Sequence, residues 1–247
     1  MTLSHIGKAD IHIHSSHSDG ASDVRTILNY VCSQTDLDVI AIADHDTLEG
    51  SLRACDLSHR FPIQVIPAME VSSAHGHILA LFIERPIPRG LPADETVWLI
   101  HEQNGLAVAA HAVEPFSPSL LSFRPRPVSL SRVRQMNLDA LEVFNAGLTV
   151  PPIEWMGHWA ARRIGAAATG GSDAHYLGTI GRGVTLFSGR SAEDFRHAVA
   201  ERKTHVGGSR YAMRHYAGHF WHRRVSRTRL ALWAVRQLAP AYVNTDR

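Results

Sequence analysis

The chain has 247 residues, 45% of them hydrophobic, with 25 Lys and Arg against 23 Asp and Glu, a formal charge of +2 and 17 histidines. That apolar content can fill one sizeable core, no run nears the roughly 20 apolar residues of a membrane span, and MTLSHIGKADIHIH lacks the regions of a secretory signal. Two cysteines, Cys32 and Cys55, in segments that read as helical, exclude a disulfide framework or zinc knuckle, so inert thiols in a soluble cytoplasmic protein are expected.

Strands and helices alternate along the chain. Residues 9–14 (ADIHIH) follow period two, which places Ile11 and Ile13 on one face and His12 and His14 on the other. A helix is predicted over 22–34, with Ser22 as N-cap. The apolar runs 38–43, 63–69, 77–83 and 106–110 read as strands buried on both faces, with helices over 48–57 and 94–104 between them. Weaker strands over 138–144, 166–169 and 183–187 continue the series. Helices over 129–135, 153–164 and 192–202 accompany them, the last capped by Ser191 ahead of Glu193 and Asp194.

This order implies mostly parallel strands with barrel-like closure. Residues 70–76 are too few for a crossover helix, so an antiparallel hairpin should put Glu70 and His77 on one rim. Residues 113–128, with Pro115, Pro118, Pro125 and Pro127, read as a long loop on the rim of His111.

Nine metal-binding side chains recur, most at or just past strand ends: His12, His14, Asp19, His45, Glu70, His77, His111, Asp173 and His175. Six imidazoles with three carboxylates suit Mn²⁺, Zn²⁺ or Fe²⁺ rather than a cation bound by oxygen alone. A single catalytic zinc takes about three protein ligands, so nine imply two or three divalent ions, and Glu70 can bridge two of them. His17 and His75 sit beside these motifs and are secondary candidates; His5, His59, His101, His158 and His197 read as ordinary histidines.

ADIHIHSSHSDG, IAIADHDT, IPAMEVS, HILALF, the His closing AVAAH, and GGSDAH followed by GRGVT occur in that order between residues 9 and 187. Together they resemble the motifs of the PHP (polymerase and histidinol phosphatase) family of metal-dependent phosphoesterases. The resemblance implies an α/β fold, a distorted seven-stranded, TIM-like (β/α) barrel, here over residues 1–205. It also implies that His12, His14, Glu70 and Asp173 share one ion, that Glu70 bridges to a second held with His77 and His111, and that Asp19, His45 and His175 form a third site. Two departures stand out: Ala112 follows His111 where the family usually has proline, and a capping helical insertion is missing between Glu70 and His111. Substrate selection then falls to the proline-rich loop.

The implied reaction is hydrolysis of a small phosphomonoester, nucleotide or short oligonucleotide by a metal-bridging hydroxide. Clustered cations offset the phosphate charge and lower the pKa of water from about 16 toward 7. His12, His14, Glu70, Asp173 and His175 are assigned to this chemistry. His17 or Asp46 could aid proton transfer, although Asp46 reads better as a partner orienting His45 or another ligand. Arg182 is the candidate for gripping a phosphate oxygen, with Arg124 and Arg126 as rivals.

An amidohydrolase is the alternative enzyme, disfavoured by the lack of a lysine placed for carboxylation on a barrel strand; a non-catalytic, metal-stabilised binding module is the alternative of another class. Between Glu201 and Asp246 there is no acidic residue, while Arg210, Arg214, Arg223, Arg224, Arg227, Arg229 and Arg236 all fall there, which leaves residues 1–205 at about −5. Residues 206–247 therefore read as a basic, partly amphipathic helical extension docking on an acidic body. Attachment to nucleic acid or an anionic membrane is the competing reading.

Overall fold

A computed structural model of the protein describes residues 5–115, 117–121, 128–147 and 150–211. Along them run β1 (Ile6–Ile13), α1 (Val24–Gln34), β2 (Val39–Ile42), α2 (Glu49–Ser58), β3 (Gln64–Ser72), β4 (His77–Leu81), α3 (Ala93–His101) and β5 (Leu106–Ala109). They are followed by α4 (Leu130–Gln135), β6 (Ala140–Asn145), α5 (Pro151–Ile164), β7 (Ala167–Gly171), β8 (Gly183–Ser188), α6 (Ala192–Ala200) and β9 (His205–Gly208).

All nine strands join one mixed sheet in the order β7-β6-β5-β4-β3-β2-β1-β8-β9. The pairs β1–β2, β2–β3, β5–β6 and β6–β7 are parallel, whereas β3–β4, β4–β5, β1–β8 and β8–β9 are antiparallel. The expected hairpin is present, with Ser72 opposite His77.

The sheet curls until it nearly closes. Thr185 of β8 accepts from the Gly170 N–H and donates to the Gly170 carbonyl, each at 3.0 Å, and Ile13 forms a bridge with Ala174 just past β7. Glycine permits this approach: a Cβ on Gly183 would lie 2.0 Å from the Gly171 carbonyl oxygen.

The seven-stranded barrel implied by the family resemblance is thus incorrect; the architecture is a nearly closed, nine-stranded mixed barrel with six α-helices among the described residues. Eight strands fall on runs read from the sequence. The ninth, HVGG, has too little apolar alternation to announce itself, and it forms because the open edge of β8 offers unpaired backbone groups. Of the basic helical extension expected from residue 206, residues 206–208 belong to β9 and 212–247 lie outside the described residues, as do Arg124 and Arg126. No helix among the described residues is long and apolar enough to cross a membrane.

The interior cluster draws on eight strands, with Ala9, Ile11, Ala41, Ala68, Leu79, Val108, Ala140 and Phe187 among its members. Phe195 of α6 packs on it, its ring edge-on to Phe187 at 5.7 Å between centroids. Outside β1 and β2, α1 and α2 bury Val24, Ile27, Leu28 and Ala54 around Ile13, Ile40 and Ile42. The cap of α1 is Asp23 rather than Ser22, its carboxylate accepting from the Thr26 N–H at 3.0 Å.

Candidate metal centre

The C-terminal ends of the parallel strands share one rim with the first residues of the antiparallel β4 and β8. Two irregularities aim side chains into it. Against β2, the register of β1 slips by one residue between Asp10 and Ile13. As a result Ile11 joins the interior cluster, Ile13 joins the layer under α1 and α2, and His12 and His14 turn together into the barrel mouth. Uniform alternation would keep Ile11 and Ile13 on one face, so this expectation is corrected by the bulge.

Glu70, 1% exposed, is the hub of the rim. One of its oxygens lies 2.8 Å from His77 Nδ1 and 3.2 Å from His111 Nε2. The other lies 3.3 Å from His12 Nε2, 3.4 Å from His14 Nε2 and 3.0 Å from His45 Nδ1. Asp173 Oδ1 stands 3.3 Å from His14 Nε2 and 3.6 Å from His175 Nδ1. Asp19 Oδ1 stands 3.1 Å from His175 Nε2 and 3.9 Å from His45 Nε2.

All nine sequence-predicted ligands therefore meet at one rim. Their ligand atoms form three groups, each within 4.8 Å: His14, Asp19, His45 and His175; His12, His14 and Asp173; His45, Glu70 and His77. His14 and His45 each serve two groups, so the sites merge more than the separate sets implied by the resemblance. His111 touches Glu70 from outside these groups.

Several polar atoms here are buried with no hydrogen-bond partner: His12 Nε2, both ring nitrogens of His14, and Glu70 Oε2. Buried polar atoms are normally satisfied. Imidazole and carboxylate lone pairs converging on one space are satisfied together by a cation, so this donor set fits two or three divalent transition-metal ions.

Comparison with known proteins agrees with this chemistry. A family model described as PHP-associated matches residues 159–204. An uncharacterized protein of Methanocaldococcus jannaschii, MJ1587, is 34% identical over 150 residues, which cover 56% of this chain and 82% of the relative. The chain belongs to the PHP-like family.

The same fold recurs in a two-domain protein from Bacteroides vulgatus containing a predicted PHP-like metal-dependent phosphoesterase (TM-score 0.68, 19% identity, 83% of this chain); the present PHP-like chain spans 66% of its length. It recurs also in a lesion-specific endonuclease from Pyrococcus furiosus (TM-score 0.61, 19% identity, 80% of this chain and 56% of that one).

In the PHP-like centre, the charges of the side chains polarise one another. Burial opposes ionisation of Glu70, yet His45, His77 and His12 hold its carboxyl well below the ordinary range. Asp173 is likewise opposed by burial and held down by His12 and His14. Burial disfavours a charged His175, but Asp19 and Asp173 push its pKa up to about 9. His14 moves the other way, lowered by burial and by the neighbouring charge of His175.

The remaining candidates are placed elsewhere. His17 Nδ1 faces Glu49 at 3.6 Å, and His75 Nδ1 accepts from the Ala93 N–H at the start of α3. Asp46 accepts from the Ser72 N–H at 2.7 Å and lies 3.5 Å from Arg89. Arg182 donates to Ser209 Oγ at 3.3 Å, at the rim end of β8.

Sequence reasoning missed the buried carboxylates that brace the rim. Asp44 accepts from Ser15 N–H and from the Ser15 and Ser18 hydroxyls at 2.6–2.7 Å, tying down the loop that carries Asp19. Asp10 accepts from Ser172 N–H and Gly181 N–H. Glu142 meets His12 Nδ1 at 3.0 Å. Asp10 and Asp44 stand within the quoted motifs, an available signal; Glu142, inside the apolar run LEVF, offered only a charge in a strand pattern. The Tyr211 hydroxyl donates to the Ser172 carbonyl at 2.6 Å, with no local signal at all.

Proposed function

We propose that the protein hydrolyses a phosphoester with divalent metal ions held at this rim, the substrate being a small phosphomonoester, nucleotide or short oligonucleotide. The observation that carries this reading is Glu70: one buried carboxylate within 3.4 Å of five imidazole nitrogens, on five different residues from the ends of four strands, β1, β2, β4 and β5. Bound cations supply charge neutralisation for the phosphate and acidify water.

The chain's own residues do the rest. His12, His14 and Asp173 would hold one ion, His45, Glu70 and His77 another, and Asp19 and His175 with His14 and His45 a third. The barrel wall excludes water from beneath, since the interior cluster is apolar. Arg182 lies at the rim end of β8 and would meet a phosphate oxygen there. Against a lysine-bridged amidohydrolase centre, the sequence has only two lysines; Lys8 pairs with Asp36 and Lys203 with Glu201.

The test is His12→Ala, measured for metal content and for hydrolysis of p-nitrophenyl phosphate and a nucleotide panel with Mn²⁺, Zn²⁺ or Fe²⁺. Metal content and rate should fall together, the rate by at least about 100-fold. Full hydrolysis by the variant would refute the assignment.

A further inference from the structure

Between the ligand-bearing ends of β5 and β7 lies β6, which supplies none of the nine ligand side chains. We propose that its Glu142 and Asn145 are positioning residues that hold His12, His111 and Asp173 ready for metal. The inference rests on the metal-dependent reading above and concerns how that site is kept in shape.

The geometry is specific. Glu142 is 1% exposed and Asn145 fully buried. Glu142 Oε1 lies 3.0 Å from His12 Nδ1, while Oε2 accepts from the His111 N–H at 2.7 Å and from Asn145 Nδ2 at 3.1 Å. The same Asn145 amide reaches Asp173 Oδ2 at 3.3 Å, and its oxygen accepts from the Gly147 N–H at 3.1 Å. The two residues are three apart, a spacing that strict strand alternation would send to opposite faces. A register slip against β7 between Glu142 and Phe144 brings both into the rim.

Chemistry gives each contact a consequence. A carboxylate only accepts, so His12 carries its hydrogen on Nδ1 and turns the Nε2 lone pair toward Glu70 and Asp173. His111 has φ +33, an unfavourable backbone for a non-glycine residue, and its N–H bond to Glu142 pins it there. Space for the carboxylate comes from Gly171, where a Cβ would lie 2.2 Å from Glu142 Oε1 and 2.8 Å from His12 Cβ.

Glu142→Gln is the discriminating variant. Oε2 faces two donors, so the single amide oxygen goes there, the NH₂ faces His12 Nδ1, and the ring hydrogen moves to Nε2, where it blocks the ligand. Affinity for Mn²⁺ or Zn²⁺, measured by chelator competition, should fall about 10- to 100-fold. The urea midpoint of the metal-free protein should stay near wild type, and kcat on a phosphoester should fall with KM little changed. Asn145→Ala should weaken metal binding less but in the same direction, and it decides the matter if Glu142→Gln does not fold. Wild-type affinity and kcat in a folded variant would overturn the positioning role alone. A wild-type protein that binds no divalent ion would overturn the metal-dependent reading and this inference with it.

Discussion

Asp10 shows how a single buried group can set a pH dependence. It is fully buried, and that burial pushes its carboxyl up to about 6 despite hydrogen bonds from Ser172 and Gly181. Because the folded chain binds this proton more tightly than the unfolded chain, its contribution is complete below about pH 4 and is lost as pH rises toward 6. That rise in the folded state corresponds to roughly 3 kcal/mol. Urea titrations of Asp10→Asn between pH 4 and 7 should therefore show a shallower decline than wild type; parallel curves would refute the assignment. At the same scale, Asp44 fastens the Asp19 loop, and Gly50 leaves room for it, since a Cβ there would meet Asp44 Oδ2 at 2.1 Å. Both carboxylates are read more easily as ligands in a motif than as the braces they are.

At the scale of the element, α6 is the best-capped helix of the described residues. The Ser191 hydroxyl accepts from the Asp194 N–H, and the Asp194 carboxylate accepts from the Ser191 N–H, a reciprocal pair that satisfies two orphan donors. This helix carries Phe195 into the interior cluster, so its start is coupled to the core. Ser191→Ala should lower stability by about 1 kcal/mol, read as a shift in the urea midpoint without loss of metal. No shift would mean that packing of Phe195 alone fixes the helix. The bulges in β1 and β6 belong to this scale too. One inserted residue in each strand switches which side chains face the mouth, and without them His12 and Glu142 could not meet.

For the whole molecule, the centre gathers candidate ligands from β1 to β5 and from the segment after β7, so bound cations would together cross-link most of the barrel. Chelation should lower the melting temperature, and an ion at 100 times its Kd should restore about 2.7 kcal/mol. The effect has a pH signature. Without metal, His175 gains stability from Asp19 and Asp173 below its ordinary pKa and loses it as pH rises toward about 9. Metal competes with those same protons and binds better as they leave. The melting-temperature gap between loaded and metal-free protein should widen from pH 6.5 to 9; a constant gap would contradict a shared role for these histidines.

The sequence by itself determined eight of the strands, the antiparallel hairpin at Glu70 and His77, and which nine polar side chains would gather at the rim. Each is written locally, in an apolar run and the polar residues at or near its ends. Only the tertiary structure decided the strand count, because β9 exists through the edge of β8 rather than through its own HVGG pattern. Likewise it decided that Ile11 and Ile13 part company, that His14 and His45 are shared between groups, and that Glu142 orients a histidine 130 residues away. Those outcomes depend on register and closure, and a one-residue slip that redirects a side chain leaves no mark on the alternation of the strand in which it occurs.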